Sequence, residues 1–137
     1  MKFLFASLLI IPFLLSSCSG TAQSNSQAKN TTEVIQMTAT QAKARLEKGG
    51  VKVVDVRTPG EFASGHIKGA INVNFSSPNF EKELSKLDKD QEYLVHCRSG
   101  HRSGLSLKSF KKLGFKKIDH LTHGIMDWTK SGYPLEK

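Results

Sequence analysis

The chain has 137 residues, and its 20 lysines and arginines outnumber its 12 aspartates and glutamates, which gives a formal net charge of +8. Such a basic balance suits a nucleic acid, an anionic small substrate or an anionic membrane surface as partner. The chain carries only two cysteines and no internal repeat, so it is neither a disulfide-rich scaffold nor a repeat protein.

Residues 1–17 have the architecture of a signal peptide. Lys2 precedes an uncharged apolar stretch from Phe3 to Leu15, and two serines follow. That stretch has roughly 13 residues, whereas a helix needs ~20 to span a bilayer. Export is therefore expected, and it makes nucleic acid an unsuitable partner.

Cys18 directly follows this segment. Residues 15–18, Leu-Ser-Ser-Cys, resemble the bacterial lipoprotein box, in which the cysteine is diacylated and becomes the new N-terminus. The resemblance implies a lipid anchor in the bacterial cell envelope, with the protein facing the periplasm or the outer surface. Several acyl chains would hold it firmly to the membrane. The alternatives are an uncleaved membrane anchor, or a cleavage that leaves Cys18 as a free thiol.

Residues 18–32 are predicted to be a flexible tether, because the segment after Cys18 contains no aromatic and no large aliphatic side chain to bury. Residues 33–137 are the predicted domain, and their number is normal for one domain with one core. We expect this domain to be a monomer.

The elements of the domain follow from apolar periodicity and from turn residues. A short strand at 33–37 precedes a helix at 39–48, for which Thr38 and Gln41 form a capping-box pattern. A buried strand at 51–56 ends before the chain break at Pro59 and Gly60. The remaining predicted elements, in chain order, are a strand at 70–73, a helix at 78–87, a strand at 92–96, a helix at 103–113, a strand at 117–121 and a helical turn at 125–129.

Strands separated by helical segments imply crossover connections, so the pattern predicts an α/β fold with a mainly parallel central sheet and helices on both faces. Sites in such sheets lie beyond the carboxyl ends of the strands. Cys97 occupies that position, between the end of a strand and the start of a helix.

The surroundings of Cys97 favour a thiolate. The start of a helix offers unpaired N–H groups and the positive end of the helix dipole, and Arg98, His101 and Arg102 add positive potential. Gly100 allows a tight turn in which successive amides point at one anion. The alternatives are a buried cysteine that acts as a small hydrophobe, and a metal ligand beside flanking histidines. The second lacks a further thiol or a spaced histidine pair.

Three stretches of the chain resemble signatures of the rhodanese family. The first starts at Asp55-Val56-Arg57 and continues through Glu61-Phe62 to the stretch from Gly65 to Val73. The second is the loop Cys97-Arg98-Ser99-Gly100-His101-Arg102-Ser103, and the third runs from Gly114-Phe115 to Trp128. The resemblance covers nearly the whole domain and implies a single rhodanese-like domain.

The resemblance implies a sulfurtransferase in which Cys97 carries sulfur as a persulfide and residues 98–103 bind the substrate and the persulfide. The partners would be a small anionic sulfur donor such as thiosulfate and a cyanide or thiol acceptor, with no cofactor and no metal. Of the two arginines, one would meet the donor and the other would be tied to a carboxylate. Asp55 and Arg57, with Glu61 and His66, are expected to brace the loop rather than to act as acid and base.

Two other functions compete with this interpretation. Phosphatases and arsenate reductases also place a thiolate and an arginine around an anion, but related phosphatase-type loops carry five residues between them, and this chain has four between Cys97 and Arg102. Rhodanese-like domains also serve as noncatalytic docking or sensing modules, which often lack the cysteine that this chain retains. A membrane-tethered carrier that receives persulfide sulfur from one protein and gives it to another is a further alternative.

The third stretch departs from the family at one position. After Leu121 and Thr122 the family usually has two glycines, and this chain has His123 and Gly124. His123 would be strained if that position required a positive φ. Otherwise its side chain is expected to lie at the edge of the active-site pocket without a chemical role.

Overall fold

The computed structural model describes residues 31–137. The predicted signal peptide, the predicted lipidation at Cys18 and most of the predicted tether lie outside the described residues. The described part contains, in chain order, β1 (Glu33–Met37), α1 (Ala39–Glu47), β2 (Val51–Asp55), α2 (Pro59–Ala63), β3 (Ile71–Asn72), α3 (Phe80–Ser85), β4 (Glu92–His96), α4 (His101–Lys112), β5 (Lys117–Leu121) and α5 (Gly124–Lys130).

The strands form one sheet in the order β1-β5-β4-β2-β3, and each neighbouring pair is parallel. The central position of β4 follows from its composition, because Leu94 and Val95 are both fully buried, one on each face of the sheet. Outside the strands, His66 makes an antiparallel bridge with Glu136. The predicted α/β class and the mainly parallel sheet are confirmed.

Two apolar layers cover the two faces of the sheet. On one face, Phe80 of α3 and Phe110 of α4 pack with Tyr93 of β4. On the other face, Ala42 of α1 and Trp128 of α5 pack with other core residues. Helices therefore lie on both faces, as predicted, and the carboxyl ends of the strands remain open at one edge.

Several boundaries differ from the sequence predictions. Pro59 and Gly60 were expected only to break the chain, but they begin α2, because Thr58 and Glu61 form a complete capping box around a proline in the first turn. Helix α4 begins at His101 rather than 103, since Gly100 adopts a left-handed conformation as its N-cap. Helix α3 is shorter than 78–87, because the Asn79 N–H bonds to Ser77 Oγ at 3.1 Å in a preceding turn.

Within residues 31–137, every helix is too short or too polar to cross a membrane.

Candidate active site

Cys97 lies at the carboxyl edge of the sheet, in the loop between β4 and α4, where the sequence predicted it. The loop continues β4 directly from His96, whose carbonyl accepts a hydrogen bond from Val56 N at 2.9 Å. The residue is 1% exposed and its thiol is free. The end of a rigid central strand thus fixes the position of the sulfur.

The thiol is surrounded by hydrogen-bond donors. Gly100 N lies 3.1 Å from Cys97 Sγ, and Ser103 Oγ lies 3.5 Å from it. Burial raises the pKa of the Cys97 thiol, but the bonds from the Ser103 hydroxyl and from the amides of Ser99, Gly100 and Ser103 outweigh burial and lower the pKa below its ordinary value. The loop is therefore built to hold a negative charge at one sulfur atom.

The loop is held in place by the segment between β5 and α5. Ile125 N donates to Cys97 O at 2.9 Å, and Met126 N donates to Arg98 O at 3.1 Å. Two glycines permit this contact. A Cβ on Gly100 would lie 1.7 Å from Thr122 O, and one on Gly124 would lie 2.5 Å from Cys97 O. The backbone around the thiol is thus packed too closely for any side chain at these positions.

His123 is not strained. Its φ is −106°, whereas Gly124, the next residue, has a φ of +63°. The left-handed conformation therefore falls on the glycine that this chain retains. His123 is exposed and lines an open groove of about 560 Å³ beside the loop, together with Ser99, Met126, Asp127 and Lys130.

The two arginines of the loop have different surroundings. Arg102 makes a two-pronged pair with Glu61, with distances of 2.8 Å and 2.7 Å between nitrogen and oxygen. Arg98 is exposed, and within residues 31–137 its side chain makes no hydrogen bond or ion pair. Arg102 is therefore the arginine that is tied to a carboxylate, and the guanidinium of Arg98 has no carboxylate partner among the described residues. His101 is also exposed.

We expect Glu61→Gln to lower the free energy of unfolding by about 1 kcal/mol near neutral pH, the upper end for exposed pairs, because the pair is two-pronged and partly buried. Hydrogen bonding to Arg102 lowers the pKa of Glu61 from 4.5 to about 2. Since the folded pKa lies below the unfolded one, this stabilisation is complete above about pH 4.5 and is lost as the pH falls toward 2.

Urea unfolding across that pH range measures the effect. The matched control is Glu83→Gln, which removes an exposed pair with Lys86 and should change stability by less than about 0.5 kcal/mol. A Glu61→Gln deficit of unchanged size near pH 2 would contradict the assignment of the ion pair.

Asp55 and Arg57 form a buried ion pair at the end of β2, beside His96, the residue that precedes Cys97. Arg57 Nη2 lies 2.6 Å from Asp55 Oδ2, and the same nitrogen donates to Gly65 O at 2.7 Å. His96 Nε2 lies 3.7 Å from Asp55 Oδ2, and burial lowers the pKa of His96. The structure places Asp55 and Arg57 together, while His66 stacks on Phe62 with ring centroids 3.9 Å apart.

Of the predicted loop residues, Ser99, Gly100 and Ser103 direct donors at the sulfur. The side chains of Arg98 and His101 are exposed, and that of Arg102 pairs with Glu61. Within the described residues, no cluster of three or more histidine, cysteine, aspartate or glutamate side chains is placed to hold a metal.

Residues 38–131 match the rhodanese-like domain family. The chain belongs to this family. It is 30% identical over 126 residues to thiosulfate sulfurtransferase 18 from Arabidopsis thaliana, and this alignment covers 83% of the chain and 92% of that protein. It is also 31% identical over 102 residues to rhodanese-like domain-containing protein 15 of the same plant, of which the chain spans only 56%.

Solved structures of rhodanese-like proteins have the same fold as this chain. A rhodanese-related protein from Thermoplasma volcanium superposes with a TM-score of 0.66 at 28% identity, covering 74% of this chain and 97% of that one.

Two polar residues near the site, Gln36 and His120, were predicted from the sequence only as parts of strands. Buried His120 of β5 lies with Nε2 2.9 Å from Ser103 Oγ and Nδ1 2.7 Å from Gln36 Oε1. The available signal was a histidine inside a strand that is otherwise buried, because buried polar groups require partners.

Proposed function

We propose that this protein is a sulfurtransferase that moves a sulfane sulfur from thiosulfate, or a similar small anionic donor, to a thiophilic acceptor through a persulfide on Cys97. The observation that carries the proposal is the convergence of donors on Cys97 Sγ, with Gly100 N at 3.1 Å and a lowered thiol pKa. The similarity to a protein named thiosulfate sulfurtransferase supports the same chemistry.

The reaction has two displacement steps at sulfur. The Cys97 thiolate attacks the outer sulfur of thiosulfate, the S–S bond of the donor breaks, and sulfite leaves with the electron pair. The terminal sulfur of the resulting persulfide carries the negative charge, and the loop amides stabilise it. Cyanide or a thiolate then attacks the terminal sulfur, and the Cys97 thiolate leaves and is regenerated.

The arginines favour sulfur transfer over phosphate or arsenate chemistry. Both oxygens of the Glu61 carboxylate accept hydrogen bonds from the Arg102 guanidinium, at 2.8 Å and 2.7 Å. Arg102 is therefore not free to make a two-pronged hydrogen-bonded pair with a tetrahedral oxyanion. The four residues between Cys97 and Arg102 also form a smaller turn than the phosphatase-type loop. A single sulfur atom suits the space inside that turn.

The anionic donor approaches through the groove that Ser99 lines with His123 and Lys130. Asp127 also lines this groove, and its carboxylate accepts a hydrogen bond from Ala39 N at 2.9 Å. Arg98 is exposed in the same loop and supplies a cation without a competing carboxylate among residues 31–137. Lys112 and Lys116 are less suited to this task, since they pair with Glu81 and Asp90 near the far end of α4. We therefore assign the attraction of the anionic donor to the groove rather than to the lysines near the end of α4.

Turnover with thiosulfate and cyanide tests the function, with an aryl phosphate as the competing substrate. We expect thiocyanate formation and negligible phosphate release. Phosphatase activity that exceeds thiosulfate turnover would overturn the proposal. Formation of a persulfide without efficient turnover to cyanide would instead identify a carrier that delivers sulfur to a partner protein.

We also propose that Cys18 is lipidated and anchors the protein in the bacterial cell envelope, on the basis of the Leu-Ser-Ser-Cys sequence at residues 15–18. Cys18→Ser should then move the protein from the membrane fraction to the soluble fraction of cells that express it. The matched control, Ser19→Ala, should remain membrane-bound. Tight membrane association of the Cys18→Ser variant would support an uncleaved anchor instead.

A further inference from the structure

A chain of polar side chains leads away from Cys97 into the sheet. Ser103 Oγ lies 3.5 Å from Cys97 Sγ and 2.9 Å from His120 Nε2, and His120 Nδ1 lies 2.7 Å from Gln36 Oε1. Gln36 and His120 are cross-strand neighbours on β1 and β5. Ser103 is fully buried and His120 is 5% exposed, whereas Gln36 is exposed. The chain is therefore shielded from solvent at Ser103 and His120 and reaches solvent at Gln36.

The chemistry of these groups assigns the hydrogens. Gln36 Oε1 is an acceptor, and it also faces Thr122 Oγ1 at 3.3 Å, so His120 Nδ1 donates to it. In the neutral ring, His120 Nε2 is then bare. The single hydroxyl hydrogen of Ser103 has two oxygen or nitrogen acceptors, His120 Nε2 at 2.9 Å and Gly100 O at 3.1 Å, and we place it on the shorter contact with Nε2. The Ser103 oxygen is left free to accept a proton from the thiol of Cys97.

We propose that His120 is a positioning residue that takes up the thiol proton of Cys97 through the hydroxyl of Ser103, while Gln36 orients the ring. In this step the S–H bond of Cys97 breaks and its proton passes to Ser103 Oγ, as the hydroxyl hydrogen of Ser103 passes to His120 Nε2. The products are a thiolate, an intact hydroxyl and an imidazolium. The inference rests on the proposed function, since it explains how the attacking thiolate forms.

The product state satisfies every group in the chain. His120 Nδ1 still donates to Gln36, Nε2 donates to Ser103 Oγ, and the hydroxyl of Ser103 now donates to the thiolate. The arrangement is a cysteine and a histidine with a third orienting side chain, as in known activated nucleophiles, but with a serine inserted between the first two.

The electrostatic surroundings fit a base that is neutral at rest. Burial lowers the pKa of His120, while a hydrogen bond to the Gly100 backbone raises it. From α4, Arg102 interacts with the charge on Cys97 and is itself paired with Glu61 from α2. Gln36 and Thr122, which face the ring from β1 and from the end of β5, are uncharged.

Thiolate absorbance as a function of pH tests the proposal on the full chain. We expect His120→Asn and Ser103→Ala to raise the pKa of the Cys97 thiol and to reduce the thiolate fraction at pH values below that pKa about tenfold. A positioned general base typically contributes ~10²-fold or more to a rate. The expected effect is smaller here because a thiol is partly ionised without a base. The matched control is Ser106→Ala, which removes another buried hydroxyl of α4, bonded to Ser103 O at 2.7 Å, and should leave the titration unchanged. An unchanged or lowered thiol pKa in His120→Asn would overturn the relay. If Ser103 only donates its hydrogen bond to the sulfur, removing His120 removes a competing acceptor and leaves that hydrogen bond intact or stronger.

A second measurement does not depend on the folding of a variant at a buried position. In the wild-type protein, nitrogen NMR shifts of His120 should show Nε2 becoming protonated over the pH range in which the Cys97 thiolate is present. In Cys97→Ser, His120 should stay neutral over that range. A bare Nε2 alongside a fully formed thiolate would refute the relay. Neither readout requires sulfur transfer, so the relay and the proposed function fail separately.

Discussion

Cys97→Ser is expected to abolish sulfur transfer to cyanide and to leave the fold intact. A serine hydroxyl is not ionised near neutral pH and cannot carry a persulfide. The backbone donors of the loop still find an oxygen acceptor in place of Sγ, so the turn from Cys97 to Gly100 should keep its hydrogen bond. We therefore expect loss of all measurable turnover, with a change in the free energy of unfolding of less than about 1 kcal/mol.

Thiocyanate formation measures the first effect and urea unfolding the second. Ser106→Ala is the matched control. It removes a buried hydroxyl of α4 outside the sulfur-binding turn, so this variant should retain turnover after the same expression and purification. Turnover near the wild-type level in a purified, folded Cys97→Ser variant would refute the assignment of the nucleophile.

The second large effect is expected for Gly100→Ala. Gly100 has a φ of +94°, and an added Cβ would lie 1.7 Å from Thr122 O, a backbone atom that cannot move without displacing the segment that holds the loop. Left-handed strain alone costs about 1 kcal/mol, and the backbone collision adds to it, so we expect a loss of at least about 3 kcal/mol in the free energy of unfolding. Persulfide formation should be lost with it, because the Gly100 amide donates to Cys97 Sγ.

Gly114→Ala separates the two causes. Gly114 follows the other end of α4 and has a φ of +79°, but an added Cβ there would meet nothing within 4 Å. It should therefore cost about 1 kcal/mol and leave persulfide formation unchanged. Equal losses of stability in the two variants would show that the contact with Thr122 does not constrain the loop.

Much of the fold followed from local sequence patterns. The β-branched run at Val51 and the alternation at Glu33–Met37 predicted strands that the structure contains, and the connecting helices required a parallel sheet. Helix α2 was missed, although Thr58 and Glu61 carried its capping signal, because the proline between them was taken as a break. Local sequence patterns therefore predict the strands and the longer helices. A short helix that begins with proline is easily missed, because the same proline also fits a turn.

The site was predictable only in part, for a physical reason. The position of Cys97 follows from one loop between a strand and a helix, which are adjacent in sequence. The contact between Ser103 and His120, and that between His120 and Gln36, join residues far apart in the chain, with separations of 17 and 84 positions. Such contacts depend on the order of the strands, and the sequence predicted a parallel sheet without its order.

The intact mass of the protein after incubation with thiosulfate shows whether Cys97 takes up a sulfur atom as a persulfide. We expect the full chain to gain the mass of one sulfur atom, peptide mapping to place it on Cys97, and cyanide to remove it. The Cys97→Ser variant should gain nothing under the same conditions. An unmodified wild-type mass, in a sample whose Cys97 is shown by alkylation to be a reactive thiol, would contradict sulfur transfer through a Cys97 persulfide.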